Sequence, residues 1–222
     1  MSTTVVRTDL SGTDEHIRRR VERWALVAGV TGCTANGLLL ALWTVALPGN
    51  HSYDWTGPAN DVVGAVSTVA MIPMAMGVSD LLRRPGRLPL LTGALIAGNC
   101  ALAGASALLV AQVIPFEVQA VVAIPVILAQ FAWLRSAGRW GRLTRRLPGR
   151  LGRVGEFAGT AALAAVPLVG FAALMPRGST AQYVIGVPGA GLGLAAFAVF
   201  PVWQIALSRA MGQPDRTRSR EG

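Results

Sequence analysis

The side chains of this chain with most capacity for chemistry lie in and just after one stretch, HSYDWTGPANDVVG, residues 51–64. His51, Asp54 and Asp61 there are the candidates for an acid, a base or a ligand at a reactive mouth. One histidine and two carboxylates at loop spacing form no metal pattern. His51 is the only histidine beyond residue 16, which excludes a histidine-rich zinc site, so no metal and no cofactor is expected. A purely local explanation competes with chemistry. Asn60 is a good N-cap residue, and Asp61 in a first helical turn would complement the helix dipole. Pro58 would suit an earlier start of the same helix.

Asn36 and Asn99 form the second candidate set. Each lies in an apolar segment, about 17–18 Å from one end at the helical rise. Amides at that depth are costly unless partnered. Two readings are open. The pair joins the first and third helices by a hydrogen bond, or both line a central cavity as ligand-binding groups.

What must position these residues is plain from the hydropathy pattern. Six segments, 24–47, 61–82, 88–113, 116–134, 156–175 and 183–207, exceed the roughly 18 apolar residues that mark a membrane span. The expected fold class is all-α: a polytopic integral membrane protein with six transmembrane helices, since lipid offers no partner for open backbone groups. Residues 1–23 and 208–222 read as tails, the outermost parts disordered, with 14–23 extending the first helix. Pro73, Pro125 and Pro201 recur before an arginine in the even segments, a pattern that reads as three helical hairpins. Residues 135–155 read as a long arginine-rich loop along the headgroups. Glu117 and Glu156 read as first-turn residues of the fourth and fifth helices. Gly189 with Gly193, and Ala97 with Ala101 and Ala105, form small-residue surfaces for helix contact.

The charge has a direction. The net charge is +9, and all 20 basic residues are arginines, as the codon bias of a GC-rich genome would give. Nineteen of them fall in the tails and the second and fourth connections, leaving Arg177 on the other side. By the positive-inside rule both termini are cytoplasmic, in a bacterial inner membrane whose anionic headgroups the arginines face. Nucleic acid is excluded as a partner, because no aromatic residues interleave a basic pattern. Most of the six tryptophans, among them Trp24, Trp43, Trp55, Trp133 and Trp203, fall at levels expected of an interfacial belt.

No Walker, CxxC, HExxH or GxSxG motif occurs, and without lysine a retinal Schiff base is impossible. The midmembrane acids and aspartate-rich motifs of isoprenoid-modifying membrane enzymes are absent too. Three function classes follow. The first is a non-catalytic partner that assembles with or regulates another membrane protein, or pairs with its own copy. The second is an embedded enzyme on a lipid or isoprenoid, using Asp54, Asp61 or His51. The third is a small-solute transporter with its site near Asn36 and Asn99. A solid bundle favours the first class and a lined cavity the others.

Overall fold

In a computed structural model, which describes residues 10–46, 55–83 and 85–213, the chain forms six helices and, among those residues, no strand. They are α1 (Leu10–Ala41, ending in a π-helical turn at Leu42–Ala46), α2 (Thr56–Leu81), α3 (Leu88–Val110), α4 (Phe116–Leu143), α5 (Gly149–Ala173) and α6 (Thr180–Gly212). All six are long and apolar enough to cross a membrane. Their ends follow local rules. Gln112 takes a left-handed conformation, φ 57°, after α3. The Val113 N–H then reaches the Leu108 carbonyl and the Gln112 N–H the Leu109 carbonyl, which satisfies the last turn. Pro115 follows and opens α4, with Glu117 in its first turn as expected.

Each helix packs on its sequence neighbours, and α6 returns to α1, so the six close into a ring. No set of three hairpins is singled out, because α4 packs closely on α5 as well as on α3. Polar side chains are buried within a largely apolar core, and the outer surface is apolar too. Asn99 and Gln204 are 0% and 2% exposed, while Leu90, Phe157 and Leu174 are 73%, 73% and 81% exposed. An apolar surface of that extent needs an apolar medium or a partner to cover it.

Three expectations are corrected here. Residues 135–155 are not a long loop: α4 runs on to Leu143 and α5 begins at Gly149. The reason is close backbone packing. A Cβ on Gly138 would sit 2.6 Å from the Gly152 carbonyl oxygen, and one on Gly159 would sit 2.6 Å from that of Phe131. Glu156 is therefore no first-turn residue of α5. It accepts from the Arg142 guanidinium at 2.8 Å and ties α5 to α4. Trp133 and Trp203 are not interfacial either. Both are buried, edge to face at 6.3 Å, because each indole N–H has an internal acceptor: Thr92 Oγ1 at 3.2 Å and the Leu151 carbonyl at 2.9 Å. Trp24 and Trp55 are exposed, as a belt requires, whereas the Trp43 side chain lies outside the described structure.

The small-residue surfaces divide as well. Gly189 packs on Leu168 and Val169 of α5. Ala97 and Ala101 face outward, and of that set only Ala105 is buried. The glycine contacts give a direct test. Gly138→Leu should destabilise the bundle by about 1–3 kcal/mol, the usual cost of overpacking. Gly104→Leu, where an added Cβ meets nothing within 4 Å, should stay within about 0.5 kcal/mol of the parent. Reversible unfolding of both variants in one detergent measures the difference.

Candidate functional site: a polar chamber between five helices

The positions that matter repeat at helical spacing. On α2 these are Asn60, Asp61, Gly64, Ser67, Thr68 and Met71, every three or four residues along one face. On α4 they are Phe116, Gln119, Ala123, Ile127 and Gln130. Joined by Asn36 of α1, Ser106 of α3 and Gln204 of α6, these stripes enclose a chamber of about 320 Å³. That is the lower end of the size range for small-molecule sites. The chamber runs from the level of Asp61, near the end of the ring that carries Arg177, inward to Gln130 and Gln204.

Asp61 is where the sequence reading and the structure part. The helix begins at Thr56, without a side-chain cap, and no acidic residue stands in its first turn. Asn60 and Asp61 are interior residues, and the capping expectation for them fails. Pro58 explains the early start, since a first turn needs no N–H from it and its φ is already helical. Asp61 is thereby carried into the chamber, opposite Gln119. His51 and Asp54 lie outside the described residues.

Asn36 and Asn99 do not meet. Asn36 Nδ2 donates to the Phe197 carbonyl of α6 at 3.1 Å. The cause is four residues along. Pro201 lacks the N–H that would bond that carbonyl within the helix, so the amide of α1 supplies it. Asn99 is fully buried behind the chamber wall. Its Nδ2 donates to the Thr68 carbonyl at 3.1 Å, and its Oδ1 accepts from Gln130 Nε2 at 2.9 Å. The expected bond between the first and third helices is thus replaced by three others, α1 to α6, α3 to α2 and α4 to α3. Of the pair, only Asn36 lines the chamber.

The remaining wall is similarly tied. Gln119 Nε2 donates to Ser106 Oγ at 3.0 Å, Ser67 Oγ to the Ala28 carbonyl at 2.9 Å and Thr68 Oγ1 to the Gly64 carbonyl at 2.8 Å. Gln204 differs. It is 2% exposed and lines the chamber, and among the described residues its amide has no protein hydrogen-bond partner. Among the described residues no fully buried side-chain polar atom is left unsatisfied, so this amide is open to the chamber.

The donor set defines what fits. Among the described residues the wall offers amides that donate and accept, hydroxyls, one carboxylate and no arginine or histidine. A phosphate or carboxylate would meet Asp61 with no counter-charge, whereas a hydroxyl or an ammonium finds acceptors on several sides. Among the described residues no three His, Cys, Asp or Glu side chains come together. Sequence reading names none of Ser67, Thr68, Ser106, Gln119, Gln130 and Gln204 as a site residue. The signal that finds them is the three-to-four spacing of polar and small residues along α2, α4 and α6.

The proline–asparagine pairing is testable by a double-mutant cycle. Asn36→Leu should cost about 0.6–2 kcal/mol in the parent and close to nothing with Pro201→Ala, where residue 201 regains its own N–H for the Phe197 carbonyl. Asn36→Leu and Asn99→Leu share no partner and should add within about 0.5 kcal/mol. Comparison with known proteins finds no matching family, no similar curated protein and no solved structure of similar fold.

Proposed function

We propose that this protein is a multi-pass membrane protein that binds the hydrogen-bond-donating part of an uncharged or cationic ligand, as a carrier or sensor rather than as a catalyst. One observation carries the reading: polar side chains of five helices converge on one chamber, where the Gln204 amide remains open and a single carboxylate stands without a cation. A bundle built only to assemble with a partner has no need of such a space. Acid–base catalysis on a lipid calls for a second titratable group beside Asp61, and the described residues of the chamber wall include none.

The arginine asymmetry supports an orientation with both termini cytoplasmic and the Asp61 end of the chamber outward. The arginine-only basic set fits the cytoplasmic membrane of a GC-rich bacterium, with anionic headgroups as its charge partners. Single cysteines placed in 50–56 should then react from outside intact cells, and those in 140–150 only after permeabilisation. The reverse pattern overturns the orientation.

Binding is tested on protein in nanodiscs by saturation-transfer NMR with glycerol, ethylammonium and methyl phosphate as probes. Glycerol or ethylammonium should receive saturation, and methyl phosphate should not. Gly64 lines the chamber, and a Cβ there meets nothing within 4 Å, so Gly64→Leu fills the space without disturbing the packing and should abolish the signal. If ethylammonium is bound, Asp61→Asn should weaken it about tenfold, equivalent to roughly 1.4 kcal/mol. Signals unchanged by Gly64→Leu would overturn the reading.

A further inference from the structure

Beside the chamber lies a second space. Where the outer half of α4 leaves α5 and α6, which stay in contact at Gly189, an apolar crevice of about 560 Å³ opens, with Val166, Val169 and Gly170 on one wall and Ala190 and Leu194 on another. None of its lining side chains is polar. Its shape follows from the helix contacts. Gly138, Gly152 and Gly159 hold the arginine-rich halves of α4 and α5 at backbone contact, whereas a Cβ on Gly170 meets nothing within 4 Å. The helices touch at one end and stand apart at the other.

The two spaces share three lining residues, Leu39, Ile127 and Phe197. These side chains stand between a polar interior and an apolar exterior. Asn36 holds the backbone of Phe197 through its carbonyl, so the Phe197 ring can turn without moving α6. An amphiphile passing this point would place unlike parts in unlike surroundings.

We infer that the ligand is an amphiphile: its uncharged or cationic hydroxyl- or amine-bearing head occupies the chamber, and its hydrocarbon chain leaves past Leu39, Ile127 and Phe197 into the crevice. This rests on the chamber reading above and adds the lipid character of the ligand. In a bilayer the chain gains little by the transfer, because lipid tails are as apolar as the crevice. Selection therefore lies in the head, and the crevice determines which molecules can deliver a head there. Bulk phospholipids carry a phosphate, and the described lining of the chamber has no cation to receive it.

The test uses protein in phosphatidylcholine nanodiscs and three chain-end diazirine probes: 1-monododecanoylglycerol, dodecylamine and dodecyl phosphate. On irradiation the glycerol or the amine probe should label the crevice wall at Val166, Val169 or Leu194 well above the phosphate probe. The pattern between those two distinguishes a hydroxylated from a cationic head. Gly170→Leu should lower this labelling about tenfold, a change of roughly 1.4 kcal/mol, and leave the saturation signal of glycerol or ethylammonium intact. Ala190→Phe, filling the same crevice from α6, guards against a folding defect in the first variant. Gly64→Leu should remove both the labelling and the saturation signal. Equal labelling by the phosphate probe, or labelling indifferent to both crevice variants, would mean that bulk lipid fills the crevice and would overturn the inference, while the chamber reading stands if Gly64→Leu still silences the soluble probes. Persistence of the soluble-probe signal in Gly64→Leu would overturn the chamber reading itself.

Discussion

The constraint on which this structure turns is that a polar group inside an apolar helix bundle must find its partner on a neighbouring helix, because water is not there to serve. Each adjacent pair in the ring carries such a link. Ser67 joins α2 to α1, Asn99 joins α3 to α2, and Gln119 joins α4 to Ser106 of α3. Arg142 joins α4 to α5, Trp203 joins α6 to α5, and Asn36 joins α1 to α6. Four of the six end on a backbone carbonyl. Such a bond fixes which helix is the neighbour and at what height, information that apolar surfaces in an apolar medium convey poorly.

This constraint also marks the exception. Where the ring is stitched, Asn36, Ser67, Asn99, Gln119 and Trp203 are used between helices. Facing the chamber, the Gln204 amide is not, and Asp61 has amide and hydroxyl neighbours but no cation. Polar groups left over at depth cost free energy unless something else meets them. The same rule that explains the ring therefore explains the case for a ligand. Asn36 belongs to both, lining the chamber while holding the carbonyl that Pro201 releases.

Six helices and their approximate limits were legible because runs of apolar residues long enough to span a bilayer admit few other structures. What was not legible depended on lateral contacts. Nothing in the spacing of Asn36 and Asn99 says which helices stand beside them, so their similar depth suggested a pair that the ring keeps apart. Trp133 and Trp203 sit where belt residues sit, and only the acceptors Thr92 and Leu151, distant in sequence, draw them inside. The arginines of 135–155 masked helices whose glycine faces pack together. Asp61 was noticed but attributed to a cap, because a first turn at Thr56 leaves no sign beyond Pro58. The stripes on α2 and α4 were readable in principle, as periodicity of small and polar residues inside apolar helices.

The glycines turn these pieces into a shape. From mid-bundle to the arginine-rich end several of them are contact residues. Gly77 faces Val21, Gly29 faces the Pro201 carbonyl, and Gly138 faces Gly152, each at a spacing a Cβ would violate. Toward the other end Gly37, Gly64, Gly104 and Gly170 have open space where a Cβ would stand, while Gly186 and Gly189 lie against α5 and keep α5 and α6 together. The bundle is thus clamped at one end and loosely filled at the other, and chamber and crevice both lie in the loose half. Side chains at the shared wall can therefore move without separating the clamped backbones, whose displacement would break the Arg142–Glu156 and Trp203–Leu151 links. A site placed in the clamped half would have to break those links each time a ligand entered.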